Sequence, residues 1–435
     1  MSVAVKPGAP LRVASRTRSV CPVCLAAVDA RIVTDGENYW LRKSCAEHGA
    51  FSAIVWRGGG EFADWWLPTP KPTVPRDCPA DCADCGEHPQ GTCCALVEVT
   101  PRCNLRCPVC FADAGDGAAE PTLGELEREF RSLAENGNTF VQLSGGEPTV
   151  RDDLPEIVAL ARVCGMETVQ INSNGLRLAR EPDFAAKLAD AGADFIFMQF
   201  DGTRPDIYEK LRGADVLADK LRAVEVCARL KLGVTLVPTV VPGVNDDDVG
   251  GIIDFALSNS PAVRGVHFQP VSYFGRNIAA PEDGDRITLP EVLRKIEEQT
   301  AGKLKIRDFV PSGCDHPRCG FHGDFVVLPR GGLIKLTKKY DPQAPCCGDA
   351  HLKNRNFVSR RWKRAEDADA PSDDADFTEL ESFASRVRTH GFTITAMAFQ
   401  DAWTLDRDRL ARCSLHVAKN GRTVPFCAKY LTAQC

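Results

Sequence analysis

The sequence predicts an α/β protein: a partial (β/α)6 TIM-like barrel with an N-terminal metal-binding ribbon and a cysteine-rich α+β C-terminal extension. Three observations predict it. Between residues 95 and 272, six apolar, β-rich runs alternate with helix-period stretches, the beat of a parallel sheet with crossover helices. Before that region lie two knuckles, Cys21-Pro22-Val23-Cys24 and Cys45-Ala46-Glu47-His48. After it, residues 311–435 hold Cys314, Cys319, Cys346, Cys347, Cys413 and Cys427 among short strand and helix signals.

Composition sets the bounds. The chain has 435 residues, 44% hydrophobic and 26% charged, which describes an ordinary globular protein of two or three domains. A net charge of −6 argues against a broad nucleic-acid surface. No apolar run approaches the length of about 18 residues that a membrane span needs. Residues 1–17 read as a flexible tail, basic but without the apolar core of a secretory signal. Twenty cysteines without such a signal point to a reducing, cytoplasmic setting and to metal ligation rather than disulfides.

Residues 18–70 read as a small metal-stapled unit, rubredoxin-like in spacing. Strand-like runs at Ala30–Val33 and Tyr39–Leu41 join the knuckles, and Phe51–Trp56 follows. Cys21, Cys24, Cys45 and His48 can close a tetrahedral Cys3His site on zinc or iron; the alternative is a redox pair at Cys21 and Cys24. Trp40, Trp56, Trp65 and Trp66 are expected to fill the core of this unit. A Pro-rich linker then delivers residues 71–94, with Cys78-x3-Cys82-x2-Cys85 and, behind them, Cys93 as a fourth thiol. This set reads as an auxiliary iron–sulfur cluster, or as a second zinc knuckle.

Residues 95–310 form the expected core. Strands are predicted at Ala95–Thr100, Phe140–Leu143, Thr168–Ile171, Phe195–Phe200, Val234–Val241 and Val263–Phe268. Helices are predicted at Thr122–Glu135, Leu154–Cys164, Asp183–Ala191, Leu217–Leu230 and Asp248–Ser258. Every strand ends in turn or hydrogen-bonding residues, where barrels of this kind keep their active sites. In the extension, a hairpin of Asp324–Leu328 and Gly332–Leu336 would bring Cys314 and Cys319 toward Cys346 or Cys347 as a further cluster, with zinc or a vicinal thiol pair as alternatives. Residues 364–377 read as an acidic linker. A helix at Phe377–His390, a strand at Phe392–Phe399, a helix at Leu405–Cys413 and two short strands follow, and Cys413 and Cys427 are placed to meet across the last turn.

The sharpest signal follows the first barrel strand. Cys103-x3-Cys107-x2-Cys110 puts three thiolates on one loop. A cubane [4Fe–4S] cluster takes four ligands, so three leave one iron open. Placed at random, 20 cysteines in 435 residues yield about 0.04 such triplets, and the chain has two. Together with Ser144-Gly145-Gly146-Glu147-Pro148, this loop resembles the radical S-adenosylmethionine (SAM) superfamily. Over residues 18–435 the chain is more narrowly similar to the radical SAM (seleno)protein TrsS group, itself related to the archaeal tetraether-lipid synthase. The resemblance implies reductive cleavage of SAM at the open iron to a 5′-deoxyadenosyl radical that abstracts hydrogen from an unactivated C–H bond. It implies that Gly145, Gly146, Glu147 and Pro148 seat the SAM amino group and that Asn174 and Asp201 reach its ribose. For Asn174 and Asp201 the residues alone allow turn capping equally. One or two auxiliary clusters, a flavodoxin or ferredoxin as electron donor, and C–C or C–S bond formation on a lipid-like substrate complete the expectation. A small-molecule or peptide substrate, and a non-catalytic multi-cluster electron carrier, are the alternatives.

Overall fold

The computed structural model describes residues 10–66, 88, 90–115, 119–276, 280–338, 349–363 and 380–433. Cys78, Cys82, Cys85, Cys346 and Cys347, and the acidic stretch 364–377, lie outside the described residues.

Four antiparallel strands form the N-terminal ribbon: β1 (Arg12–Val20), β2 (Ala27–Thr34), β3 (Asn38–Cys45) and β4 (Gly49–Arg57). Strand β1 corrects the expected tail. Residues 12–17 pair with β2, and Thr17 Oγ1 donates to Asp406 Oδ1 at 2.7 Å. Its outer residues are exposed and only Thr17, Ser19 and Val20 are buried, so the strand carries no apolar signal.

The barrel follows with β5 (Cys94–Thr100), α1 (Leu123–Glu135), β6 (Phe140–Gly145), α2 (Leu154–Val163) and β7 (Thr168–Ser173). Thr122 and Glu125 close a capping box at the start of α1, which fixes where the cysteine loop ends and the helix begins. Next come α3 (Leu176–Arg180), α4 (Pro182–Asp190), β8 (Phe195–Gln199), α5 (Pro205–Arg212), α6 (Leu217–Arg229), β9 (Gly233–Val237), β10 (Thr239–Val240), α7 (Val249–Ser258) and β11 (Val263–Pro270). Strands 5, 6, 7, 8, 9 and 11 pair in parallel in that order, as the alternation predicts.

The extension enlarges this sheet. After α8 (Leu289–Gln299) come β12 (Val310–Pro311), β13 (Gly320–Val327), β14 (Leu333–Lys335), α9 (Ala350–Trp362), α10 (Leu380–Thr389), β15 (Gly391–Met397), α11 (Arg407–Leu410), β16 (Leu415–Lys419), β17 (Arg422–Pro425) and α12 (Phe426–Lys429). Strand β15 joins β11 in parallel and β16 joins β5 in parallel. The six expected strands thus become eight consecutive parallel strands, and β13 lies antiparallel beyond β15. The helix expected over Leu405–Cys413 shrinks to the four residues of α11. Helix α9, unforeseen because its sequence lacks an apolar stripe, sets Trp362 against Phe140 and Phe195, the first residues of β6 and β8.

The tryptophan expectation holds for Trp56 and Trp65, both buried, but the core they fill is shared with the barrel. Trp40 instead sits on the seam, its Nε1 donating to Asp283 Oδ2 at 2.9 Å. Arg57 reaches Glu291 on α8 at 2.9 Å, and the Lys43 ammonium is buried between Ser19 Oγ and the Ala402 carbonyl. The ribbon is therefore bolted to the loops that follow β11 and β15. Among the described residues no helix is long and apolar enough to cross a membrane. Trp56→Ala is expected to destabilise the protein by about 3–5 kcal/mol, read from the denaturant midpoint of the whole chain.

Candidate active site

The three-cysteine loop leaves the end of β5 and is held by backbone contacts and by the side chains of Arg276 and Asn174. Gly146 N donates to Thr100 O at 2.7 Å and Glu147 N to Arg102 O at 2.8 Å, tying the end of β6 to the root of the loop. A Cβ on Gly145 would stand 2.1 Å from Thr100 O, and one on Gly146 2.1 Å from Arg102 O. Gly145 also has φ +126°. The glycine pair is needed for this close approach of two chain segments. On the other side Cys110 and Arg276 exchange backbone hydrogen bonds at 3.2 and 2.9 Å. The Arg276 guanidinium reaches the carbonyls of Cys107 and Ala114, and Gly275 leaves room for the Cys110 carbonyl. Sequence reasoning missed Arg276, which lies far along the chain from the loop it clamps.

Glu147 is buried and its carboxylate knots the strand ends together. Oε1 accepts from Thr149 N, Thr149 Oγ1 and Ser173 Oγ at 3.0, 2.7 and 2.8 Å; Oε2 accepts from Asn174 N at 2.6 Å. Pro148 opens the short turn behind it. Asn174 in turn donates to Asn104 Oδ1 on the cysteine loop at 2.7 Å, and its Oδ1 caps Leu176 N at 3.0 Å. It borders the cavity, and its turn-capping role is realised.

Asp201 is not where the ribose expectation put it. It is fully buried, does not border the cavity, and its oxygens accept from Arg212 at 2.6 and 2.7 Å and from Thr239 N at 3.1 Å. A buried guanidinium needs a fixed counter-charge, and Asp201 supplies it. Burial works against the Arg212 charge, but Asp201 more than offsets it, so Arg212 stays cationic beside Cys107 and borders the cavity. Lys220 lies beneath, bonded to the Asn174 carbonyl and to Gln199 Oε1, with burial lowering its pKa to about 8.

Cys103, Cys107 and Cys110 are half-buried and all line one cavity of about 910 Å³. Burial first, then the neighbouring charges of Glu147, Cys107 and Cys110, push the Cys103 thiol up to about 11. All three thus border one cavity, which fits a three-thiolate iron–sulfur site. The cavity runs from this loop down the barrel to Trp362.

The other cysteines form separate groups. Cys21, Cys24, Cys45 and His48 offer ligand atoms all within 4.8 Å of one another. The Cys24–Cys45 separation is 4.0 Å, and His48 Nδ1 stands 3.7 Å from Cys21 and 3.5 Å from Cys45. Thiolates at metal–sulfur distances of about 2.3 Å on a tetrahedral ion stand about 3.8 Å apart, so the site fits a single ion. In the extension the expected set divides. Cys314 meets Cys93, whose sulfur accepts from Asn354 Nδ2 at 3.2 Å. Cys319 instead shares a cavity of about 20 Å³ with Cys413 and Cys427, beside the Arg409 guanidinium. Cys319 sits just before β13, where its carbonyl accepts from Ala398 N at 2.8 Å, whereas the Cys314 sulfur accepts from Ser414 Oγ at 3.4 Å.

The comparisons agree with this geometry. The Radical SAM superfamily profile matches residues 97–256, and that of the HMPTM N-terminal zinc ribbon domain matches residues 13–57. The 7,8-dihydro-6-hydroxymethylpterin dimethyltransferase of Methanocaldococcus jannaschii is 32% identical over 95% of this chain and 92% of its own length. A probable GTP 3′,8-cyclase of Thermococcus kodakarensis is 33% identical over 39% of this chain and 54% of its own. Streptococcus suis SuiB bound to S-adenosylmethionine is similar over 48% of this chain and 47% of its own, at 15% identity and TM-score 0.40. The fold and the open three-cysteine loop define a radical SAM enzyme. The chain belongs to that superfamily and, along nearly its whole length, to the family of the M. jannaschii dimethyltransferase. The electron-carrier alternative falls with this, and the N-terminal unit belongs with zinc ribbons.

Gly146→Ala is expected to lower 5′-deoxyadenosine formation by at least about tenfold by displacing the loop, measured after reduction in the presence of SAM. Stripping the ribbon metal with a strong chelator is expected to lower the unfolding temperature, because the knuckles close only around an ion.

Proposed function

We propose that the chain is a radical SAM enzyme that abstracts a hydrogen atom from an unactivated C–H bond of a small molecule held in the barrel lumen. The observation that carries this is the cavity itself. Its lining includes Cys103, Cys107 and Cys110 as well as Trp362 on α9, so a bound molecule can present one end to the cysteine loop. About 910 Å³ is the size of a small-molecule site. The M. jannaschii relative is named a dimethyltransferase of a pterin, which supports a carbon-centred transfer to a heterocycle.

Cys103, Cys107 and Cys110 would hold the cluster, and SAM bound there supplies a 5′-deoxyadenosyl radical that takes a hydrogen atom from the substrate. The residues around it have separate tasks. The backbone of Gly145 and Gly146 and the carboxylate of Glu147 seat the SAM amino group. Arg212 pairs with its carboxylate, and Asn174 borders its ribose. Leu96, Phe274 and Phe111 wall the lumen and exclude water. Two cysteine groups, Cys93 with Cys314 and Cys319 with Cys413 and Cys427, provide auxiliary cluster ligands beside the same cavity. Cys78, Cys82, Cys85 and Cys346 remain candidates to complete them. A flavodoxin or ferredoxin supplies electrons.

A lipid-like substrate with C–C or C–S bond formation is the second reading, favoured by the aromatic wall of Phe274, Phe399 and Phe426.

Cys107→Ala is expected to abolish 5′-deoxyadenosine, assayed by chromatography after anaerobic reduction with SAM. Cys413→Ala is expected to lower the iron bound after reconstitution by one cluster's share. Unchanged product in the first variant would overturn the function; unchanged iron in the second would remove the auxiliary assignment.

A further inference from the structure

The outer face of the N-terminal ribbon carries a row of charge that nothing above uses. Arg16 on β1, Arg31 on β2 and Arg42 on β3 are successive register partners, so their side chains stand next to one another across three strands. All three are exposed. The neighbouring row, Thr17, Ala30 and Lys43, lies on the opposite face and is buried against the extension, where Thr17 meets Asp406 and Lys43 meets the Ala402 carbonyl. The arginines therefore stand on the side of the sheet turned away from the rest of the chain.

Like charges directly opposite one another destabilise a sheet. Among the described residues none of the three arginines has an ion pair or a side-chain hydrogen bond to relieve that cost. Asp29, opposite Arg18 and two positions along, is the acid that these paired strands add to the face. Protection of a sheet edge accounts for charge on β1, the outermost strand, but β2 and β3 are paired on both sides. The row also contrasts with the molecule that bears it. The chain has a net charge of −6, so an acidic protein is repelled except where a local basic surface draws it in.

Its position is as telling as its charge. Arg42 stands three residues before Cys45 and Arg16 five before Cys21, about 10 and about 17 Å along their strands. Val20, beside Cys21, belongs to the apolar cluster of Phe274 and Phe426, and both Leu25, beside Cys24, and Phe111, beside Cys110, pack against it. The knuckle end of the ribbon thus shares one group of packed side chains with the three-cysteine loop.

We propose that the outer face of the ribbon is the docking site of the protein that delivers electrons, a one-electron donor whose surface around its cofactor is acidic. Carboxylates of the donor pair with Arg16, Arg31 and Arg42, which relieves the repulsion within the row and sets the donor down near the knuckles. One electron leaves the donor, whose flavin passes from hydroquinone to semiquinone, and goes to the cluster that Cys103, Cys107 and Cys110 would hold. This rests on the proposed function for one point, that a protein donor reduces such a cluster. Leu11 and Val13, exposed at the start of the ribbon, add contact area for a protein surface but make no apolar face broad enough for a bilayer.

The test uses the full-length, anaerobically reconstituted protein, with dye-labelled flavodoxin as the probe and fluorescence anisotropy as the readout. Flavodoxin is expected to bind the unaltered protein and to lose at least about tenfold in affinity between low and physiological salt. Arg16→Gln, Arg31→Gln and Arg42→Gln combined are expected to weaken low-salt binding at least about tenfold and to flatten its salt dependence. The corresponding triple lysine variant keeps the charge and is expected to keep the binding. Formation of 5′-deoxyadenosine by the glutamine variant is expected to fall with flavodoxin as reductant and to stay unchanged with dithionite, which needs no docking. The salt dependence is read on the unaltered protein and stands even where a variant fails to fold. No binding of flavodoxin, salt-independent binding, equal binding by the glutamine variant, or capture of phosphatidylglycerol vesicles in place of flavodoxin overturns the proposal. Absence of 5′-deoxyadenosine from the unaltered protein with dithionite would overturn the proposed function instead, whatever the anisotropy shows.

Discussion

Two backbone segments meet at a distance only glycine permits, and the site is arranged around that meeting. The end of β6 hydrogen-bonds the root of the cysteine loop through Gly146 and Glu147, and a Cβ on Gly145 or Gly146 would collide with a carbonyl there. Because the loop is fixed by main chain, its three sulfurs are placed before any cluster binds. Glu147 extends the constraint sideways by taking four hydrogen bonds from the turn after β6 and the end of β7. Asn174 then closes the circuit back to Asn104 on the loop. Side chains drawn from three strand ends act as one rigid frame, in keeping with the need to hold reacting groups within fractions of an ångström.

What the sequence revealed was whatever is local. Period-2 and period-3.6 patterns placed all six core strands within a few residues, because β–α units are written in consecutive segments. The Cys3His ribbon and the three-cysteine loop were legible for the same reason: each ligand set is carried by short, spaced motifs. Contacts between distant segments were not legible. Cys314 and Cys319 stand five positions apart yet serve different groups, one beside Cys93 and one beside Cys413 and Cys427. Nothing in their spacing records that the turn Pro317–Cys319 between them sets Cys319 against Ala398 while Cys314 stays beside Ser414. Asp201 follows a strand end, as a ligand-binding residue would, but the burial of Arg212 claims it. Strand β1 was hidden because its outer face is polar and only a few of its residues are buried.

The C-terminal extension changes what the barrel is. Strands β15 and β16 take the positions flanking the six-strand core, and α9 sets Trp362 at the far end. A six-strand barrel open along one side would accept long or flexible substrates laterally. Here the extension walls that side and supplies His322, Asp324, Thr393 and Thr395 to the lining. The same segment contributes Cys314, Cys319, Cys413 and Cys427, so these cysteines and part of the cavity lining belong to one stretch of chain.

Charge is distributed along the lumen with a consistent logic. At the cysteine end, Arg212 stays cationic in a buried place because Asp201 is fixed behind it. Farther down, the polar groups are carboxamides, a hydroxyl and an imidazole kept neutral by burial. Neutral donors and acceptors cost less to bury than ions, but they are also more exacting: each must find a partner of the right sense at the right place. The cysteine end thus carries a fixed positive charge, whereas the middle offers neutral donors and acceptors. Gln142, Gln170 and His267 all stand on β-strands rather than loops, and strand positions are the part of this fold least free to move.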